Sequence, residues 1–286
     1  MMHSMTCKTH PADRMCTAID RVHAPLCVGI DPVFARFPKK LQSYSPEEAS
    51  RIFCEGILEA VSPFAAAAKF QSACFERLGA KGVQLLGDLR TRANEQGMQI
   101  ILDAKRGDIG ISAEHYAAAA TADGPCDWVT VNPYLGIDGI EPFLDAGLGT
   151  FCLVRTSNQS GDAIQQQELA DGRTVAQSIA DLLHDLGNSY LGESGWSAVG
   201  AVVGATKTEE AFQLRTCMPN QMFLMPGIGA QGASVSDVQS CFADGHGALA
   251  TASRSVTYPD FGDNWQDAIA DAAKTLSLEL QAGTVS

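Results

Sequence analysis

Eight apolar runs of strand-like length, each followed by a segment with helical spacing, constrain the fold of this chain more than any other feature. Near-continuous apolar runs are typical of parallel strands that helices cover on their faces. The runs lie at 26–31, 65–70, 99–105, 128–134, 150–157, 197–205, 222–230 and 247–253. Eight such units in a chain of 286 residues predict an α/β protein whose strands close into a (β/α)8 TIM barrel.

A doubly wound open sheet is the main alternative fold. That fold normally carries a glycine-rich dinucleotide-binding turn after its first strand, whereas the first run here ends in GIDP at 29–32. The sequence therefore favours a single barrel, the catalytic domain, over 25–286, with an N-terminal extension over 1–24 that contains a short helix. Inside the barrel, SPEE at 45–48 predicts a helix start with a capping box.

Charge and cysteine content exclude several classes of function. The chain has 33 acidic and 20 basic residues, a net charge of −13, and no basic cluster that would bind a nucleic-acid polymer. No apolar stretch is long enough to predict a membrane span, and the N-terminus lacks the apolar core of a signal peptide. Nine cysteines, an odd number without a C-x-x-C pair, favour reduced thiols and a cytoplasmic location.

Polar residues interrupt the apolar runs at their carboxyl ends, where the active site of such a barrel lies. Asp103 and Lys105 are two apart on one strand and therefore point to the same face, and Lys69 ends the preceding strand. Opposite charges at this spacing keep each other ionised. The alternative is a salt-bridge network that only closes the barrel mouth. The polar residues at the strand ends are Asp31, Lys69, Asp103, Lys105, Asn132, Thr156, Ser157 and Arg254.

Two further segments point to ligand binding. PGIGAQGA at 226–233 and SRS at 253–255 follow the seventh and eighth runs, where barrels often bind phosphate, and Arg254 offers a bidentate donor. In an acidic protein, such a site needs its own local positive charge. The long polar segment 155–173 predicts a lid in its first part, 156–161. The alternative for the glycine-rich segment 226–233 is a simple tight turn. The alternative for the polar segment 155–173 is a mobile insertion.

The motif D-x-K-x-x-D-I, formed by Asp103, Lys105, Asp108 and Ile109, resembles the orotidine 5′-phosphate decarboxylases. LCVGIDP, the Lys69 strand, VNPYLG, RTSN, PGIGAQG and SRS follow the order found in the longer bacterial branch (type 2) of that family, over about residues 14–275. The short motif alone is shared with related phosphosugar barrels, whereas the ordered set is much more specific.

This resemblance implies a carboxy-lyase that converts orotidine 5′-monophosphate to uridine 5′-monophosphate in de novo pyrimidine biosynthesis. Lys105 would protonate the ring carbon after CO2 is lost. Lys69 and Asp103 would complete a charged tetrad with Asp108, which would reach in from the other subunit of a homodimer. No metal and no organic cofactor would be needed.

The same resemblance implies the residues that bind substrate. The ribose hydroxyls would contact Asp31 together with Lys69, and Ile109 would wall the carboxylate pocket. Ser112 stands where the family often has threonine and keeps the hydroxyl. The remaining predicted contacts are Asn132 and Thr156 to the substrate, Ser157 to the pyrimidine edge, and Gly229, Gln231 and Arg254 to the phosphate.

Two other functions stay open on the sequence. One is a metal-dependent phosphosugar decarboxylase or aldolase on the same barrel, which needs carboxylates around a divalent cation; Lys69 at the end of the second run disfavours it. The other is a non-catalytic nucleotide-binding barrel, which would bind uridine monophosphate without turnover. Simple binding does not require the interleaved lysines and aspartates, so the sequence favours the decarboxylase.

Overall fold

The computed structural model describes residues 9–229, 232–243, 245–261 and 264–284. Its eight strands are all parallel and close into a barrel in chain order, which confirms the predicted fold. The strands are β1 (Leu26–Ile30), β2 (Ala67–Gln71), β3 (Gln99–Arg106), β4 (Trp128–Val131), β5 (Gly149–Arg155), β6 (Ser197–Val203), β7 (Gln221–Pro226) and β8 (Ala248–Ala252).

Helices connect the strands around the outside of the barrel. Only short helices follow β7 and β8, and a long helix then ends the chain. In the described residues the helices are α1 (Pro11–Val22), α2 (Pro46–Val61), α3 (Ser72–Glu76), α4 (Ala80–Glu95), α5 (Gly110–Ala122), α6 (Glu141–Asp145), α7 (Asp162–Gln165), α8 (Val175–Gly187), α9 (Thr208–Cys217), α10 (Val235–Val238), α11 (Arg254–Thr257) and α12 (Trp265–Thr284). None of these helices is long and apolar enough to cross a membrane.

Local capping fixes where the long helices begin. The side chain of Ser45 accepts a hydrogen bond from the backbone N–H of Glu48 at 3.2 Å, which is the serine half of the predicted capping box of α2. Helix α8 has both halves of such a box, formed by Thr174 and Gln177. Each of these bonds satisfies a backbone donor that the first helical turn would otherwise leave unpaired.

Helix α1 closes the end of the barrel where the strands begin. Arg14 forms an ion pair at 3.0 Å with Asp127, and Asp127 also accepts the backbone N–H of Ile100 at the start of β3. Met15 and Ile19 are buried beneath the helix. The opposite end, where the strands finish, is therefore the one that remains open to a ligand.

The register of neighbouring strands places the predicted charged residues near the same end of the barrel. Gly29 of β1 pairs with Lys69 of β2, and Gln71 of β2 pairs with Asp103 of β3. Side chains two residues apart on a strand point the same way, so Lys69 and Asp103 both face the barrel interior near its open end.

Candidate active site

A cavity of about 470 Å³ opens at the carboxyl ends of the strands. This is the end at which barrels of this type carry their active sites. Apolar side chains, among them Leu153, Val202 and Leu224, form its floor. Seven of the residues predicted from the sequence line it, namely Asp31, Lys69, Asp103, Lys105, Thr156, Ser157 and Arg254.

Asp103 is the centre of a chain of charged side chains in this cavity. The Nζ atom of Lys69 lies 2.8 Å from Asp103 Oδ2 and 3.8 Å from Asp31 Oδ1. The Nζ atom of Lys105 lies 2.5 Å from Asp103 Oδ1. Carboxylates and ammonium groups therefore alternate in the order Asp31, Lys69, Asp103, Lys105.

Burial and charge act in opposite directions on this cluster. Burial disfavours the ionised form of Asp103, but the two ammonium groups of Lys69 and Lys105 outweigh burial and lower its pKa to about 2. Burial likewise disfavours the charged form of Lys69, but Asp31 and Asp103 raise its pKa above the ordinary value. Lys69 and Asp103 are therefore both ionised at neutral pH although each is only 6% exposed.

Thr130 of β4 shapes the end of β3. Its hydroxyl donates to Asp103 Oδ1 at 2.9 Å and accepts the backbone N–H of Lys105 at 2.9 Å. Lys105 has a φ of 45°, a left-handed conformation that costs energy for a residue with a side chain. Its side chain is nearly half exposed and lines the cavity, so Thr130 holds the lysine backbone in the conformation that presents Nζ to a ligand.

The other side of the cavity carries positive charge. Arg254 begins α11 after β8, and Arg36 lies in the loop after β1. Together with Lys69 and Lys105, they give the lining four cations against the two carboxylates of Asp31 and Asp103. This excess supplies the local positive potential that an anionic ligand needs in a protein of net charge −13.

Of the residues predicted to bind phosphate, Gly229 lies differently from the prediction. Gly229 does not line the described part of the cavity, and its backbone N–H donates to the carbonyl of Ala233 at 2.8 Å. Gly227 and Ile228 of the same loop line the cavity instead. Gln231 lies outside the described residues.

Four other predicted residues lie outside the cavity of their own chain. Asp108 precedes α5, and its carboxylate accepts the backbone N–H of Ile109 at 2.9 Å. Ile109 is 51% exposed, and Ser112 lies in the first turn of α5. The side chain of Asn132 caps the turn after β4 by accepting the backbone N–H of Tyr134. The structure thus groups Asp108, Ile109 and Ser112 on one surface segment.

The segment after β5 is anchored by a buried guanidinium. Arg155 is fully buried and pairs with Asp162 at 2.7 Å and with both carboxylate oxygens of Glu210. Lys207 also contacts Asp162, at 3.1 Å. These ion pairs tie α7 to the start of α9, so the predicted lid is fixed at its far end in this conformation.

Thr156 and Ser157, which line the cavity, are held from two sides. Gln165 of α7 accepts the backbone N–H of Thr156 at 2.9 Å and donates to its hydroxyl at 2.8 Å. Gly204, after β6, approaches so closely that a Cβ there would lie 2.9 Å from the Cα of Ser157. The backbone of this pair therefore has little freedom to move.

Sequence reasoning missed several lining residues. Thr130 is a hydroxyl residue inside the otherwise apolar strand β4, and this polar interruption could have revealed it. Arg36 and Tyr258 carry no comparable signal, because they meet only in the fold. The Tyr258 hydroxyl accepts the backbone N–H of Val33 at 2.7 Å and donates to the carbonyl of Asp31 at 3.0 Å, while Arg36 lies over its ring.

No group of three or more histidine, cysteine, aspartate or glutamate side chains in the described residues is placed to hold a metal ion. The two cavity carboxylates instead flank the ammonium group of Lys69. The oxygen atom Oδ1 of Asp31 has no hydrogen-bond partner among the described residues. The Asp31 side chain is nonetheless partly exposed in the cavity, so its carboxylate can accept a hydrogen bond from a ligand.

Comparison with known proteins identifies close relatives. The model of the orotidine 5′-phosphate decarboxylase / HUMPS family matches residues 24–258. The orotidine 5′-phosphate decarboxylase of Rhodopirellula baltica is 38% identical and the alignment covers 94% of this chain and 98% of that protein. The enzyme of the same name from Deinococcus radiodurans is 41% identical over 82% of this chain and 84% of its own length.

The fold of this chain is also similar to that of a solved structure. The OMP decarboxylase of Leishmania donovani matches with a TM-score of 0.79 and 29% sequence identity, covering 96% of this chain and 99% of that one. The similarity therefore spans the whole barrel and includes the strands that carry the charged cluster.

Proposed function

The chain belongs to the orotidine 5′-phosphate decarboxylase / HUMPS family, and from this premise we propose that it converts orotidine 5′-monophosphate to uridine 5′-monophosphate and CO2 in de novo pyrimidine biosynthesis. The carboxy-lyase activity agrees with the names of its curated relatives. The observation that carries the proposal is the alternating chain of Asp31, Lys69, Asp103 and Lys105 in the lining of a cationic cavity.

Lys105 is the proton donor in this proposal. Breaking the bond between the pyrimidine ring and the carboxylate leaves an electron pair on a ring carbon that has little resonance stabilisation. A fixed ammonium group beside that carbon stabilises the developing negative charge and then transfers a proton to it, while CO2 departs. The exposed ammonium of Lys105 is positioned for this role because Asp103 and Thr130 fix its side chain and backbone.

The remaining lining residues bind the rest of the nucleotide. Arg254, supported by the backbone of Gly227 and Ile228, binds the phosphate at the end of the cavity remote from Lys105. The carboxylate of Asp31, which lines the cavity, accepts a ribose hydroxyl. Binding energy from the phosphate holds the reacting ring against the charged cluster, which raises the rate of the chemical step.

The pyrimidine edge is bound on the β5 side of the cavity. Ser157 contacts the base there, next to Thr156, and both residues are held in place by their neighbours. Within the predicted lid, 156–161, closure over the nucleotide is limited to the residues after Ser157. Gln165 and Gly204 hold Thr156 and Ser157 in place, and the ion pairs of Arg155 hold the segment beyond the lid.

A homodimer with shared active sites explains the placement of Asp108, Ile109 and Ser112. These residues lie on one exposed segment outside their own cavity, beside Ile111, which is 68% exposed, and Tyr134, which is 85% exposed. Exposed apolar side chains on one face are typical of a protein interface. In this proposal, the segment crosses to the partner and places Asp108 beside the partner's Lys105.

The reaction requires no metal or organic cofactor in this proposal. A divalent cation between Asp31 and Asp103 would occupy the place of the Lys69 ammonium and would be repelled by it. This disfavours the metal-dependent phosphosugar decarboxylase or aldolase. The free thiols of the described cysteines are in keeping with a reducing compartment, and we keep the cytoplasm as the expected location.

Direct measurement of turnover tests the proposal. The loss of orotidine 5′-monophosphate absorbance is followed with purified protein, with and without a strong chelator. We expect the same rate in both samples. A rate abolished by the chelator and restored by a divalent cation would favour the metal-dependent alternative, and tight binding of uridine monophosphate without turnover would favour a non-catalytic nucleotide-binding protein.

A further inference from the structure

The side-chain amide of Gln165 has only one possible orientation. Its oxygen atom Oε1 faces two obligate donors, the backbone N–H of Thr156 at 2.9 Å and the guanidinium of Arg155 at 3.3 Å. An amide nitrogen in that place would face both donors without an acceptor. The nitrogen Nε2 must therefore point to the Thr156 hydroxyl, which lies 2.8 Å away.

This orientation fixes the direction of the Thr156 hydroxyl. Because Nε2 of Gln165 is a donor, the Thr156 oxygen accepts, and its own proton must point elsewhere. Within the part of the chain that the structure describes, no acceptor for this proton is recorded. Thr156 lines the cavity, so its proton is free to be donated to a ligand there.

The surroundings keep Gln165 in place. The Arg155 guanidinium is fully buried and held by Asp162 and Glu210, and Gly161 packs close to the Thr156 hydroxyl, since a Cβ there would lie 2.9 Å from it. Rotation of Gln165 would thus leave a buried guanidinium donor and a backbone N–H unsatisfied, which is costly.

We propose that Gln165 is a positioning residue that makes the Thr156 hydroxyl a directed hydrogen-bond donor to an acceptor oxygen of the bound nucleotide. This inference rests on the proposed function for the identity of the ligand. It assigns a role to a residue of α7 that lies nine positions from the cavity residue it controls.

An isosteric polarity change tests this inference. In Gln165→Glu, both side-chain oxygens accept, and Arg155 beside them favours the ionised form at about pH 8. The Thr156 hydroxyl must then donate to the introduced carboxylate and no longer to the nucleotide. We expect the Kd for uridine monophosphate and the KM for orotidine monophosphate to rise about three- to tenfold, as for one lost neutral hydrogen bond, with kcat changed by less than about twofold.

Variants of Thr156 separate this effect from a general disturbance of the loop. Thr156→Val removes the donor and should raise Kd and KM by a similar factor, whereas Thr156→Ser keeps the donor and should recover most of the affinity that Thr156→Val loses. In the Thr156→Val background, Gln165→Glu should have no further effect, because the two changes remove the same bond. Independent, multiplicative effects of the two changes, or wild-type affinity in Gln165→Glu, would overturn the inference.

Cytidine monophosphate identifies the acceptor, since it carries an amino group where uridine monophosphate has its 4-carbonyl. A reduced preference for uridine over cytidine monophosphate in Gln165→Glu would support donation to the 4-carbonyl. Equal weakening of both ligands would support donation to an acceptor that both carry, namely the 2-carbonyl, the sugar or the phosphate. Failure of the wild type to turn over orotidine monophosphate would contradict the proposed function instead, and the affinities for uridine monophosphate would still test Gln165.

Discussion

At the scale of single residues, Asp103 holds the charged cluster together. It is the only described carboxylate within 3 Å of both cavity lysines. It also accepts a hydrogen bond from the Thr130 hydroxyl. A buried charge of this kind is tolerated because its partners are in place before the ligand arrives. Lys69 in turn depends on Asp103, since its other carboxylate, Asp31, is 3.8 Å away.

Replacement of this carboxylate should destabilise the protein in a pH-dependent way. Asp103→Asn leaves Lys69 buried with a weaker partner and should lower the free energy of unfolding by up to about 3 kcal/mol near neutral pH. The folded pKa of about 2 lies below the ordinary value of 3.8. The carboxylate therefore stabilises the fold above about pH 4, and this contribution is lost as pH falls through about pH 2.

Denaturant unfolding of the wild type and Asp103→Asn at several pH values measures this difference. The difference in the free energy of unfolding between the two proteins should become smaller as the pH is lowered. Asp88→Asn is the matched control, because Asp88 pairs with Arg51 on the surface and its loss should cost no more than about 1 kcal/mol. An Asp103→Asn penalty that is equally large at low pH would contradict the ionised cluster.

The sequence predicted the residues of this cluster because they share one strand or adjacent strands. Asp103 and Lys105 differ by two positions, so the period of a strand places them together. Arg36 and Tyr258 could not be found in this way, since they are separated by more than two hundred positions and meet only through barrel closure. The role of Gln165 was also hidden, because a side-chain amide gives no sequence signal for the direction of its hydrogen bonds.

At the scale of elements, the spacing of apolar residues along the sequence predicted where the strands and the long helices lie. The four-alanine run at 65–68 has the composition of a helix, yet β2 includes Ala67 and Ala68, because burial between neighbouring strands overrides helix propensity. The four-residue helices α7 and α11 were not predicted, since they are too short to show a helical period. A helix was predicted after the seventh run, but the structure has only the four residues of α10 there.

A second, partly buried guanidinium joins elements at the opposite end of the barrel. Arg215 of α9 donates to the carbonyls of Met218, Gln221 and Gly247, each within 2.8 Å. Its guanidinium lies over the ring of Phe223 at 3.7 Å, and burial lowers its pKa to about 10. It thereby ties α9 to the starts of β7 and β8.

Loss of this guanidinium should affect stability and leave catalysis intact. Arg215→Met keeps the apolar stem but leaves three carbonyls without a charged donor, and should lower the free energy of unfolding by about 3 kcal/mol. Arg215→Lys should recover less than half of that loss, because an ammonium cannot span the three carbonyls. Turnover measured well below the unfolding temperature should stay close to wild type, and a matching loss of kcat would show that the two barrel ends are coupled.

At the scale of the whole molecule, charge and symmetry determine function together. The protein is strongly acidic, yet its cavity lining carries four cations against two carboxylates. In the proposed dimer, the exposed segment of Asp108, Ile109 and Ser112 completes the site of the other subunit. In that proposed dimer, one chain would contain most of an active site, and its symmetry mate would supply the rest.

Mixing inactive subunits tests the shared site. Asp108→Ala and Lys105→Ala homodimers should each lose activity, because each lacks one charged residue in both sites. In a mixed dimer, one site carries both defects and the other carries neither, so subunit exchange should restore up to about half of the wild-type activity per mixed dimer. A mixture that stays inactive although exchange has occurred would contradict the assignment of Asp108 to the partner's site.

The rate of decarboxylation by Lys105→Ala tests the central claim most directly. Orotidine 5′-monophosphate turnover and uridine monophosphate affinity are measured for the wild type and the variant under the same conditions. We predict a fall in kcat of at least about 10²- to 10⁴-fold, the range expected for loss of a proton donor, with a folded protein that still binds uridine monophosphate. A variant that kept most of the wild-type rate would contradict the assignment of Lys105 as the proton donor.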